Sequence, residues 1–189
     1  MRDIAFLVYP GYSLMALAVT AGFEVANSMV DPQPYDLHFV SETGGPIRTS
    51  AGMMLQTEVF TEKPFDTLVV GGATFPKPSS PGLIAFMLDA PKRHRRIAAV
   101  CTGAFVLAEA GLLHDADATT HWEDADDLAR RHPTLRVRPE RRWVDNGRLV
   151  TSAGIAAGID MSLHLVARLV DLELARRTAR QLDVPWSEA

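Results

Sequence analysis

A single cysteine in 189 residues leaves Cys101 without an internal disulfide partner. That excludes a disulfide framework and fits a reducing, cytoplasmic setting. One cysteine also excludes the usual structural zinc clusters, and His94, His114, His132 and His164 have no spacing that suggests a metal centre. No metal is expected. No apolar run reaches the length of a membrane span. In MRDIAFLVYPGYSLMALAV, Asp3 follows the one early Arg, and Pro10, Gly11 and Tyr12 interrupt the apolar stretch, so it reads as a strand and turn rather than a signal peptide. The phosphate-binding patterns GxGxxG and GxxxxGK(S/T) are missing, so neither a dinucleotide nor a nucleoside triphosphate is implied and no cofactor is expected. Positive charge is not in excess either. With 19 Lys and Arg against 23 Asp and Glu, net −4, this chain is not expected to carry a large nucleic-acid surface of its own.

What is present is a globular balance, 47% hydrophobic and 22% charged residues, in a chain long enough to bury about 70% of the surface its unfolded form exposes. Charge is uneven along it. Residues 1–90 hold 4 Lys and Arg against 9 Asp and Glu, and residues 91–189 hold 15 against 14. The basic clusters Lys92, Arg93, Arg95, Arg96 and Arg136, Arg138, Arg141, Arg142 are interleaved with acids and read as solvated faces.

The patterning alternates strand and helix. Continuous apolar runs at Asp3–Tyr9, Thr67–Val70 and Ile97–Val100 have the character of strands covered on both faces. Tyr35–Ser41 and Met53–Val59 read as further strands, separated by a turn at Gly44, Gly45 and Pro46. Helices are expected after the cap Ser13, over Ser79–Asp89, over Thr102–Ala110, around Glu123–Arg131, and across Ile155–Val170 and Asp171–Leu182. Arg142–Asp145 and Arg148–Thr151 form a hairpin about Asn146 and Gly147. Strands alternating with helices define an α/β fold with a mostly parallel sheet and helices on both faces.

Chemistry concentrates at Cys101, where a buried strand passes at once into a helix at the carboxyl edge of the sheet, the edge along which ligands bind in open α/β folds. The helix start favours thiolate, and free backbone N–H groups there can hold a developing oxyanion. A second loop, Val70-Gly71-Gly72-Ala73, also leaves a buried strand, so N–H groups of Gly72 and Ala73 are expected to complete a site with that of Thr102. Thr151-Ser152-Ala153-Gly154 opens the long helix and offers N–H groups and two hydroxyls to the same region.

The segments VYPGYSLMALA, VVGGA, AAVCTGAFVLAEAGLL, ATTHW and DNGRLVTSAGIAAGIDMSLHLVARL, in that order, resemble the ThiJ/PfpI family of the class I glutamine-amidotransferase-like fold over almost the whole chain. Within it, HWEDADDLARRHPTLRV and VTSAGIAAGIDMSLHLV are most similar to the N-terminal domain of AraC-type transcriptional regulators. Isonitrile hydratases are more distant relatives, sharing Cys-Thr-Gly-Ala and Thr-Thr-His-Trp. The resemblance implies a flavodoxin-like three-layer sandwich, usually dimeric, with Cys101 at a nucleophile elbow and His121 as the titratable group beside it. Two departures bear on catalysis. Many catalytic members have His directly after the cysteine, but here Thr102 stands there and cannot act as a general base. The acid of the isonitrile hydratases is expected in the stretch SLMALA, where Ala16 stands. Glu24, further along the same helix, reads as part of its polar face.

The resemblance and its departures favour a sensor: residues 1–183 as a ligand-sensing and dimerising domain of an AraC-type regulator, and 184–189 as a tail or the start of a linker. A small polar metabolite would bind near Cys101, with Gly72, Ala73, Cys101, Thr102, His121 and Ser152 as binding residues, in a cytoplasmic homodimer. DNA would be read by a helix-turn-helix domain outside this chain. The alternative is a stand-alone, cysteine-dependent hydratase or amidase-like enzyme with Cys101 as the catalytic nucleophile.

Overall fold

The computed structural model describes residues 1–61, 63–74 and 77–187. In chain order these form β1 (Arg2–Leu7), a 3-10 segment Leu14–Val19, α1 (Thr20–Met29), β2 (Tyr35–Ser41), β3 (Gly45–Arg48), β4 (Met54–Val59), β5 (Thr67–Val70) and α2 (Pro81–Arg93). There follow β6 (Arg96–Val100), α3 (Gly103–Glu109), β7 (Asp117–Ala118), α4 (Ala125–Arg131), β8 (Arg136–Val137), β9 (Trp143–Asp145), β10 (Leu149–Ser152), α5 (Ile155–Leu169) and α6 (Leu172–Gln181).

Eight strands make one sheet in the order β3-β4-β2-β1-β5-β6-β10-β9. The six inner strands run parallel, and the two outer ones, β3 and β9, are antiparallel to their neighbours. The central strands are buried on both faces because helices cover both, which is why their sequences are apolar without alternation. Along β1, Ala5 and Leu7 pack beneath α2, α3 and α4 with Leu83, Met87, Phe105 and Leu128. Ile4 and Phe6 point the other way, into a cluster with Phe23 of α1, Met161 and Leu165 of α5, and Leu174 of α6. This is the expected three-layer α/β sandwich with a mostly parallel sheet.

Three local expectations are corrected. Gly45 and Pro46 do not end a turn but begin the edge strand β3, which pairs in register Gly45↔Thr57 to Arg48↔Met54. The turn is tighter than expected because Gly44 and Gly45 both take positive φ, and Pro46 is tolerated on an outermost strand. Secondly, the residues after Ser13 form a 3-10 segment before α1 begins at Thr20, and Ser13 makes no side-chain cap. Thirdly, β7 and β8 form a separate two-stranded parallel ribbon that the sequence reading missed, each strand being two residues long. After α6 the chain packs back on α5, where the Trp186 indole N–H donates to the Asp160 carbonyl at 3.2 Å.

Candidate functional site

The strand β6 delivers Cys101 to the carboxyl edge of the sheet in a left-handed conformation, φ +57°, which costs a non-glycine residue roughly 1–2 kcal/mol. Hydrogen bonds on both sides hold it there. Its N–H donates to the carbonyls of Ser152 and Ala153, both at 3.0 Å, and its carbonyl accepts from the Thr120 hydroxyl at 2.9 Å. The elbow is therefore built, and α3 springs from it at Gly103. Gly103 lets that helix start press against β5: a Cβ there would lie 2.3 Å from the Val70 carbonyl oxygen. A Cβ at Gly72 would lie 3.0 Å from the Thr102 amide nitrogen and 3.3 Å from Cys101 Cβ, so the two loops touch as expected.

Their donors are nevertheless partly spent. The Thr102 hydroxyl donates to the Ala73 carbonyl and accepts from the Ala73 N–H, both at 2.9 Å. Ala73 thus has no free N–H for a substrate oxyanion. The thiol also departs from expectation. Burial pushes the Cys101 pKa up; the Thr102 N–H at the helix start opposes it without cancelling it, the nearby Asp124 carboxylate adds to the rise, and the Thr102 hydroxyl opposes it least. Burial outweighs a helix of only seven residues. Alkylation by iodoacetamide is accordingly expected to run slower than for a free thiol at neutral pH, with the rate still climbing past the ordinary thiol value of 9.0. A rate profile that levels off below that value would contradict this account of the elbow.

The other expected site residues separate into two groups. His121 abuts the loop opening α5, where a Cβ on Gly154 would lie 2.9 Å from its Cδ2. Its Nδ1 lies 3.7 Å from the carboxylates of both Glu123 and Asp124, and no hydrogen bond joins it to Cys101. Ser152 is fully buried with its hydroxyl unpartnered, while the Thr151 hydroxyl accepts from the Thr119 N–H. Glu24 is exposed on α1, in line with a polar-face residue.

A cavity of about 540 Å³ opens on the α2 and α3 side of the elbow. Ala73 and Thr102 line it, but Gly72, Cys101, His121 and Ser152 do not. Its apolar wall includes Phe60, Leu83 and Phe105, and its polar groups include Tyr9, Glu42 and Glu109. Tyr9 anchors one side by donating to the Gly71 carbonyl at 2.8 Å. Glu42 accepts from the Ser80 hydroxyl at 2.5 Å and Glu109 from the Ser79 N–H at 3.1 Å, so both carboxylates brace the approach to α2. Sequence reasoning missed these residues. Tyr9 lies two residues past β1 and Glu42 one past β2, so the carboxyl-edge rule carried a signal for them; Glu109, at the far end of α3, had none.

At the opposite edge of the sheet, Asp3, Asp36 and His38 bring ligand-type atoms within 4.8 Å of one another. The Lys63 ammonium, 3.5 Å from Asp3, supplies the balancing positive charge there.

A mostly parallel α/β sandwich that presents a strained cysteine between strand and helix at its carboxyl edge defines the class of flavodoxin-like, elbow-cysteine proteins. Residues 3–168 match the DJ-1/PfpI family model, and the chain belongs to that family. It is 34% identical over 95% of its length to the HTH-type transcriptional regulator CdhR of Pseudomonas aeruginosa, covering 54% of that protein. To a Pseudomonas putida protein named isonitrile hydratase it is 35% identical over 96% of its length, covering 78% of the relative. Among solved structures, an AraC family transcriptional regulator from Pseudomonas putida superposes with a TM-score of 0.86 at 22% identity, 96% of this chain matching 100% of that one. The chain therefore spans about half the length of the regulator whose sequence it matches. Among the described residues, no helix is long and apolar enough to cross a membrane.

Proposed function

We propose that this chain is the ligand-sensing domain of an AraC-type transcriptional regulator, and that its ligand, a small polar metabolite, occupies the cavity beside the elbow. The observation that carries the reading is the separation of cavity from thiol: Thr102 and Ala73 line the cavity and Cys101 does not. Such a site binds without performing nucleophilic chemistry. The raised thiol pKa, the mutual bond of Thr102 and Ala73, and Ala16 in place of an acid all support binding over turnover. The relatives named as regulators support the same assignment. In this reading the protein is cytoplasmic and homodimeric, and DNA is bound by a helix-turn-helix domain outside residues 1–189. Exposed apolar side chains such as Met15 and Trp122 support the dimer.

A thermal-shift screen of small polar metabolites tests it. A ligand at about one hundred times its Kd stabilises the fold by about 2.7 kcal/mol, roughly 5 to 11 °C for a chain of this size. Val106→Trp fills the cavity and is expected to abolish that shift while Cys101→Ser preserves it.

The identity with an isonitrile hydratase over nearly the whole chain supports a second reading, a cysteine-dependent hydratase. It requires turnover of isonitriles by the unmodified protein and a loss of at least about a hundredfold in Cys101→Ser. Turnover on that scale, with no ligand shift in the screen, would overturn the sensor reading.

A further inference from the structure

We infer that the elbow controls whether the C-terminal segment stays seated, through an unbroken run of hydrogen bonds that ends on Trp186. The inference rests on the sensor reading and supplies the regulation of that site.

The run begins at the elbow itself. The Cys101 N–H donates to the Ala153 carbonyl at 3.0 Å, and the Ala153 N–H donates to the Arg142 carbonyl at 2.9 Å. The Arg142 guanidinium then pairs with the Asp160 carboxylate on α5. Asp160 closes the run, because its own carbonyl accepts from the Trp186 indole at 3.2 Å. Each step joins separate parts of the chain: the elbow, the loop opening α5, the segment before β9, the first half of α5, and the residues after α6. Packing makes a second connection. Cys101, Trp143 and Trp186 all lie against the same apolar cluster, which includes Val100, Val150 and Met161.

The pair in the middle gives the run its leverage. Asp160 is only 6% exposed, so withdrawing Arg142 leaves a carboxylate with little solvent and no cation, an arrangement that costs far more than an exposed pair is worth. At the far end, Trp186 borders open space. The left-handed Asp183, φ +55°, turns the chain back after α6, so that Pro185 and Trp186 lie beside residues 140–143 across a cleft of about 250 Å³. In this inference the seated indole and one released from Asp160 are the two arrangements that coupling between distant sites requires. A ligand or adduct that moves the elbow N–H shifts Ala153 and Arg142 with it, and so biases the seat of Trp186.

The test needs no natural ligand, so its failure is separable from that of the sensor reading. The protein is labelled with 5-fluorotryptophan, and the three resonances are assigned with Trp→Phe variants. Cys101 is then carbamidomethylated at alkaline pH, confirmed by mass, and the spectrum is recorded at neutral pH. The Trp186 resonance is expected to shift on alkylation, and to lose that response in Arg142→Gln and in Asp160→Asn, both of which still accept the label at Cys101. A Trp186 resonance unmoved by complete alkylation overturns the inference. So does an equal shift with and without the Arg142 and Asp160 pair, since the signal would then travel by another route. Response at Trp186 with no metabolite found in the screen would uphold the coupling and count against the sensor reading alone.

Discussion

Gly103→Ala is expected to destabilise the protein by about 3 kcal/mol and to spoil the elbow together with the fold. Adding a Cβ near a helix start gains at most about 1 kcal/mol in helix propensity. Against that, the new carbon would sit 2.3 Å from the Val70 carbonyl oxygen and 3.1 Å from that of Gly71. Both obstacles are backbone, which cannot rotate away as a side-chain tip can, so α3 must lift off β5. Overpacking of this kind costs about 1–3 kcal/mol, and the rigidity of the obstacle places this case at the upper end. Gly111→Ala is the control. Gly111 ends α3 at φ +70° with open space around its missing Cβ, so only the left-handed penalty of roughly 1–2 kcal/mol applies. Urea midpoints for the two variants compare clash with backbone strain directly. The lifted helix should also expose Cys101, so Gly103→Ala is expected to alkylate faster and Gly111→Ala at the parent rate. Equal stability losses in the two variants would sink the claim that close approach, rather than conformation, requires Gly103.

That glycine also shows what could be read in advance. The order of strands and helices was legible because burial on two faces writes itself into sequence as uninterrupted apolar runs such as IAFLV and TLVV. The elbow was legible because a cysteine between such a run and a helix has few conformations open to it. What escaped depends on distance across the fold. β3 hid behind Gly45 and Pro46, whose local preference is for a turn and whose strand character comes from pairing with β4. The thiol was expected to gain from the helix start, and the Thr102 N–H there does lower its pKa, but the depth of burial, together with Asp124 from 23 residues away in the chain, outweighs that gain. Ala73 was expected to offer a free N–H, and only the fold brings the Thr102 hydroxyl round to occupy it. The cavity draws on the segment after β1 and on β2, β3, α2 and α3 at once, so no single segment announces it.

Acid is expected to weaken the fold through His94. This residue ends α2, is 1% exposed, and lies with its ring stacked on Phe65 at 5.4 Å. Its Nδ1 accepts from the Phe65 N–H at 3.1 Å, which fixes a neutral tautomer with the proton on Nε2, and that second nitrogen has no partner. Burial, with the neighbouring Arg93 charge adding to it, drives the pKa down from 6.5 to about 4. The unfolded chain therefore binds this proton more readily than the folded one between those values, so stability is full above the higher value and falls as pH drops toward the lower. Going from about pH 7.5 to about pH 5, the single group removes about 2 kcal/mol, equivalent to roughly 4–8 °C in Tm for a chain this long. His94→Gln cannot take up a proton. It is expected to begin less stable at neutral pH, since the Phe65 N–H loses a well-placed acceptor, and then to lose about 2 kcal/mol less than the parent on acidification. Parallel melting curves at the two pH values give the difference directly. The carboxylates of Asp117 and Asp145, held below their ordinary range by Arg136 and by His164 and Arg168, lose their advantage only at lower pH. His132, whose pKa burial also lowers, titrates within the same window but does so in parent and variant alike, so the difference between the two isolates His94. If parent and variant weakened equally over the window, the buried imidazole would have to be taking up its proton without cost, and its site between the rings of Phe65 and Phe86 could not be as dry as the geometry makes it.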